Sequence, residues 1–125
     1  MNIELLYCKI HRATVTEANL NYEGSISICP TLIDAAGLHI NQKIDVLNCN
    51  NGARLTTYVI KGSQGQICLN GAAARHAQPG DLVILASYAS MCLEEAKSHQ
   101  PKLVFVDTEN RIKTVKEAEQ ANTIS

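Results

Sequence analysis

Apolar residues along this chain fall on alternate positions or in short unbroken runs far more often than at helical spacing, which predicts strands. "LLYCKI" (residues 5–10) is apolar but for Lys9, and "ATVTEANL" (13–20) carries β-branched residues in rough alternation. Ile26 and Ile28 alternate after Gly24-Ser25 and mark a strand with one buried face. "TLIDAAGL" (31–38) reads as a short helix with Thr31 as its cap, Asp34 in its first turn and Gly37 at the left-handed end. The clearest hairpin is "KIDVLNCNNGARLTTYVI" (43–60), with Asn51-Gly52 as a two-residue turn. Its second strand puts Arg54, Thr56 and Tyr58 on one face and Leu55, Thr57 and Val59 on the other, so Thr57, if buried, needs a hydrogen-bond partner.

"QICLN" (66–70) continues as strand, "GAAARHA" (71–77) as one or two helical turns, and "QPGD" (78–81) as a turn. "LVILASYASM" (82–91) predicts a strand buried on both faces, "CLEEAKSH" (92–99) a short helix stopped by Pro101, and "KLVFVD" (102–107) a last strand. From about Lys113 to residue 125 large apolar residues are few, which predicts a flexible, frayed or weakly helical tail. No repeat, linker or low-complexity block divides the 125 residues, so one domain is expected, a small β-barrel with helical insertions.

Composition narrows the function classes. Lys and Arg total 11 against 12 Asp and Glu, leaving no excess positive charge for nucleic acid or an anionic membrane. No apolar run reaches spanning length and no secretory signal opens the chain, so a cytoplasmic location is expected, with no membrane partner. The five cysteines are odd in number and never paired as CxxC, a poor match to a disulfide framework or zinc ribbon, and small buried apolar roles are expected for them. Cys8-x-x-His11 has ligand spacing but no second pair, so no metal is expected. His39 and His99 read as surface or loop residues.

"NYEGSISI" (21–28) raises the chemical question, because a glycine and a hydroxyl stand at the mouth of a strand. Taken alone, Gly24-Ser25 is a turn feeding that strand. Three stretches together, "KIHRATVTEANLNYEGS" (9–25), "NGARLTTYVI" (51–60) and "LNGAAARHAQPGD" (69–81), resemble the pyruvoyl-dependent aspartate 1-decarboxylases in order and spacing, a likeness that reaches to about Phe105. Cys8 stands where glycine is usual in that pattern and Asn19 where aspartate is common, and "KGSQGQICLNG" looks short.

The resemblance implies a mainly β fold, a six-stranded double-psi β-barrel with short helical insertions, assembled as a homotetramer with sites between subunits. It implies a precursor that cuts itself between Gly24 and Ser25 into residues 1–24 and 25–125, Ser25 becoming a pyruvoyl group. That group would form a Schiff base with L-aspartate and take the electron pair left by carbon dioxide, giving β-alanine for pantothenate and coenzyme A synthesis without pyridoxal phosphate or metal. Ser25 and Tyr58 are implied as catalytic, Tyr58 as proton donor. Thr57, Gly71, Ala72, Ala73, Arg54, Lys9 and His11 are implied as substrate contacts, and Gly24, Ser25, Thr57, Asn70 and Tyr22 as processing residues. Whether a helper protein assists maturation stays open.

Independent chemistry supports this junction. A serine hydroxyl can attack its preceding carbonyl, and glycine there removes a hindering Cβ and tolerates strained torsions. Arg54 offers a planar fork for a carboxylate. Strand alternation sends Thr57 and Tyr58 to opposite faces, so a bulge or bend near them is expected if both serve one site. Two rivals are an uncleaved, non-catalytic relative and a small β-barrel nucleic-acid-binding module in which Gly24-Ser25 is only a turn; near-neutral charge and one Phe weigh against the latter.

Overall fold

The computed structural model describes residues 1–117. Nine strands share one hydrogen-bonded order, β2-β6-β3-β5-β4-β7-β1-β8-β9. They are β1 (Asn2–Thr14), β2 (Glu17–Asn19), β3 (Ser25–Ile28), β4 (Lys43–Asn48), β5 (Arg54–Lys61), β6 (Ile67–Asn70), β7 (Leu82–Cys92), β8 (Lys102–Val106) and β9 (Ile112–Lys116). Helices α1 (Pro30–Ala36) and α2 (Leu93–Ser98) and a 3-10 helix (Gly71–His76) complete the chain. The fold is thus the mainly β barrel with short helical insertions that was expected. Nine strands stand where six were expected, because short paired segments such as β2 and β9 raise the count.

Pairing is parallel for β1–β8, β2–β6 and β3–β5, and antiparallel elsewhere. One side chain ties the two ends of the sheet together. Asn110, buried in the β8–β9 turn, accepts from the Thr14 N–H at 2.7 Å and donates to the Thr14 and Gly65 carbonyls at 2.9 Å each. Its left-handed φ of 61° suits asparagine, which tolerates that region better than most side chains. Inside lie Ile10, Ile26, Ile28, Ile44, Val46, Val59, Leu69 and Leu85, all at most 1% exposed. Full burial of each such side chain contributes about 2 kcal/mol.

Several local expectations need correction. Cys29, not Thr31, precedes α1; Pro30 takes the first helical position, and Asp34 lies beyond the first turn. Gly37 does close α1 in the left-handed conformation. The β4–β5 connection spans residues 49–53, not two residues, and only Gly52 has positive φ. Asn48 shapes it, its Oδ1 accepting the N–H groups of Asn50 and Asn51. Strand β7 is buried only in its first half, since Tyr88 is exposed. Residues 113–116, expected in a flexible, frayed or helical tail, instead belong to β9, pairing Leu103 with Lys116 and Val104 with Val115. The rest of that expectation lies outside the described residues.

Cys8, Cys29 and Cys68 are buried as expected, whereas Cys49 is exposed and Cys92 intermediate. Burial pushes the Cys8 thiol up to about 11. Cys8 follows a register shift between Leu6 and Cys8, and its small side chain is buried in the core. No helix of the described residues is long and apolar enough to cross a membrane.

Replacing Asn110 by Ala removes three hydrogen bonds and forces a Cβ without a polar partner into left-handed backbone. We expect a loss of about 2–4 kcal/mol in denaturant unfolding, with Asn110→Gly recovering only the backbone part.

Candidate functional site

The Gly24-Ser25 junction sits where β3 begins. Gly24 is exposed, whereas Ser25, Ser27, Asn70 and Cys68 are all buried, Ser25 to 1%. Strand β3 is held on both edges: antiparallel to β6, with Ser25 opposite Asn70 and Ser27 opposite Cys68, and parallel to β5, with Ile26 beside Val59. Ile26 and Ile28 point into the core, so alternation turns Ser25 and Ser27 to the other face, where Asn70 and Cys68 meet them.

Asn70 organises this cluster. Its Nδ2 donates to Ser25 Oγ and to Ser27 Oγ, both at 3.0 Å, while its Oδ1 accepts from the Cys68 thiol at 3.2 Å. Ser25 Oγ in turn donates to the Glu23 carbonyl at 3.1 Å. Burial pushes the Cys68 thiol up and the Glu17 carboxylate pushes it further, against a lowering contact from the Asn19 backbone, so the sulfur keeps the proton it donates. Nearby, Asn19 Oδ1 accepts the Asn21 N–H at 3.0 Å, a turn that an aspartate would make equally well.

Gly71 carries the segment before the junction. It has φ of +62°, and a Cβ on it would lie 2.7 Å from Gly24 N, 2.8 Å from Gly24 Cα and 2.8 Å from the Tyr22 carbonyl oxygen. Gly24 itself is not left-handed, and a Cβ there would meet nothing within 4 Å. Glycine's tolerance of left-handed backbone is therefore not used at Gly24. The close approach belongs to Gly71.

The register of β3 on β5, continued one pair back, sets Tyr58 beside Ser25, and one further back sets Thr57 beside Gly24. Pairing of β4 with β5 runs unbroken through Lys43–Tyr58 and Ile44–Thr57, so the expected bulge is not there. None is needed, because Thr57 follows Ile44 on the inner face and Tyr58 the outer face, and the peptide link at 24–25 lies between the two.

Other expected residues are not brought to Ser25. Arg54 is exposed on the outer face of β5, four residues from Tyr58, which is about 13 Å along the strand. Lys9 and His11, half-buried on β1, share that outer face, but β7 and β4 separate β1 from β5. At ~4.8 Å per strand, three steps place those backbones about 14 Å apart. His11 packs on Phe105, ring centroids 5.3 Å apart, and lines a cavity of about 390 Å³ with Arg12, Asp107 and Lys113. Ala72 is exposed and Ala73 buried on the 3-10 helix, and Tyr22 is 56% exposed.

Ser27 and Cys68 were not singled out from sequence. The available signal was polar residues at alternate positions in two apolar strands, "SISI" and "ICLN".

These features define a small β-barrel of mixed strand direction whose buried polar cluster is built round one Gly-Ser junction. The chain belongs to the aspartate decarboxylase family, whose model matches residues 1–113. It is 60% identical over 122 residues to the aspartate 1-decarboxylase of Bdellovibrio bacteriovorus, covering 98% of both chains. It is 60% identical over 114 residues to that of Caldicellulosiruptor saccharolyticus, covering 90% of this chain and 89% of the relative. With that of Bacillus velezensis it shares 57% identity over 118 residues, 93% of each.

Replacing Gly71 by Ala is expected to displace residues 22–24, speeding amide exchange there and costing about 1–3 kcal/mol. Gly24→Ala, with open space around it, should stay within about 0.5 kcal/mol of the parent in the same measurements.

Proposed function

We propose that this chain is an aspartate 1-decarboxylase that matures by cutting itself between Gly24 and Ser25 and then removes the α-carboxylate of L-aspartate, giving β-alanine and carbon dioxide for pantothenate and coenzyme A synthesis. The observation that carries this reading is the fixed hydroxyl of Ser25, sealed from solvent, gripped by Asn70 and Glu23, and one residue behind a glycine carbonyl outside the sheet. A nucleic-acid-binding barrel is the wrong class for a member of this family.

Maturation begins when Ser25 Oγ adds to the Gly24 carbonyl carbon. The hydroxyl proton moves to the Ser25 nitrogen as the C–N bond breaks, leaving an ester and a free amine. The Thr57 hydroxyl, beside Gly24 in the register, is the donor that would steady the oxyanion. Removal of the Ser25 α-proton then expels the Gly24 carboxylate and leaves a dehydroalanine, whose hydration releases ammonia and leaves a ketone. Asn70 holds Ser25 during attack, and residues 22–24, Tyr22 among them, rest on Gly71.

The surroundings fit a pyruvoyl group, which lacks Oγ and is smaller than the serine it replaces in this buried position; Oγ leaves with the Gly24 carboxylate, and the Asn70 N–H that it accepted is then free to meet substrate. Once formed, that group supplies an electron sink for the pair released with carbon dioxide. Tyr58, beside Ser25 in the continued register, delivers a proton to the substrate carbon that carbon dioxide has left. The turn at Gly71, Ala72 and Ala73 offers backbone N–H groups to the substrate, its small side chains leaving access. Arg54, Lys9 and His11 supply positive charge for the two carboxylates. Because one chain keeps them from Ser25, a neighbouring subunit of a homotetramer brings them to the site. The enzyme works in the cytoplasm, without metal or pyridoxal phosphate.

Denaturing mass spectrometry of the purified protein should show two fragments, 1–24 and 25–125, and an intact chain after long incubation would overturn self-processing. Ser25→Ala should fold yet release neither fragments nor carbon dioxide. Tyr58→Phe should still be cut while turnover falls by about 100-fold or more; unchanged turnover would remove it as proton donor.

A further inference from the structure

The Asn70 amide can face Ser25 in two ways, with its nitrogen or, after a half-turn of the side-chain amide, with its oxygen. Only the first gives the Ser25 hydroxyl a donor and leaves its own proton directed at the Glu23 carbonyl. Two buried groups decide between them. Cys68, 3% exposed, sends its thiol proton to Asn70 Oδ1 at 3.2 Å, and its other acceptor, the Leu69 carbonyl, is more distant at 3.9 Å. Ser27 Oγ, 8% exposed, takes the second N–H of the amide at 3.0 Å. Cross-strand register brings them together, since Ser27 faces Cys68 and Ser25 faces Asn70.

From this geometry we infer that Cys68 is a positioning residue for maturation, its S–H···Oδ1 bond, with Ser27 as second anchor, holding the Asn70 amide nitrogen toward Ser25. Neither side chain touches the 24–25 peptide link by any bond described above, so both act through Asn70. The rising thiol pKa from burial and from Glu17 agrees with a sulfur that stays protonated at neutral pH. Removing the thiol leaves Oδ1 without its buried donor and lets the amide turn over, placing an acceptor where Ser25 needs a donor. This inference rests on the self-cleavage proposed above.

The test compares fresh precursor of the parent, Cys68→Ala, Cys68→Ser and Ser27→Ala, following the cut at residues 24–25 by mass spectrometry and folding by thermal melting. One neutral hydrogen bond corresponds to a slowing of about fivefold, expected for Cys68→Ala and Ser27→Ala. Cys68→Ser restores a donor and should cleave near the parental rate although a buried hydroxyl lowers its melting temperature. A packing role predicts the opposite order, serine slowest, and that order would overturn the inference. So would an unchanged rate for Cys68→Ala in a parent that cuts itself. In an Asn70→Ala background Cys68→Ala should slow residual cleavage no further, and an added fivefold loss there would show action independent of Asn70. A parent that never cuts defeats the underlying maturation reading instead.

Discussion

The ladder of β3 starts at Ser25 on the β6 edge and at Ile26 on the β5 edge, both ending at Ile28, and this double pairing is the constraint on which the site depends. Ile26 and Ile28, wholly buried, fix its register: a slip of one residue would turn Ser25 and Ser27 into the core and both isoleucines out. At about 2 kcal/mol for each buried isoleucine, apolar packing holds the hydroxyls where Asn70 can reach them. Each neutral hydrogen bond of the cluster contributes about 1 kcal/mol, roughly half of one buried isoleucine. Burial sets the positions and hydrogen bonds set the orientations.

Legibility followed the strength of local signals. Alternation in residues 43–60 gave β4 and β5 directly, because each strand has a buried and an open face whose period survives in the sequence. Gly37 was legible because a left-handed helix end needs it. Residues 49–53 and α1's first turn were misread because capping and loop length depend on which backbone groups a neighbour satisfies, as Asn48 does for Asn50 and Asn51. Strand β9 was missed since four of its five residues are exposed and its order comes from β8, not from its own propensity. At the site, Ser25 and Asn70 were singled out through resemblance to a family pattern; Cys68 and Ser27 became visible only with β3 and β6 laid in register.

The supposed conflict between Thr57 and Tyr58 dissolves on a related point. Opposite faces are incompatible when two side chains must meet in a cavity on one side of a sheet. A backbone bond at the free end of a strand is reachable from both sides, so an unbroken β5 can present one group to each. The same regularity keeps Arg54, Lys9 and His11 away: the rise along β5 separates Arg54 from Tyr58, and the spacing of about 4.8 Å between neighbouring strands separates Lys9 and His11 on β1 from β5.

Ser25 and Ser27 offer an internal comparison. They are the same residue type on the same face of one four-residue strand, both buried and both 3.0 Å from the same Asn70 nitrogen. What differs is the carbonyl behind each. Ser27 follows Ile26, which is paired to Leu69 on one edge and Val59 on the other, and whose branched Cβ crowds the carbonyl. Attack there would have to break the middle of a three-stranded ladder. Ser25 follows Gly24, which lies beyond the last pair, exposed, with open space where a side chain would be. Since donor and nucleophile are shared, the choice of bond in the proposed maturation follows from where the ladder stops, and a glycine just outside it leaves the only one of the two carbonyls that can change geometry without unzipping the sheet.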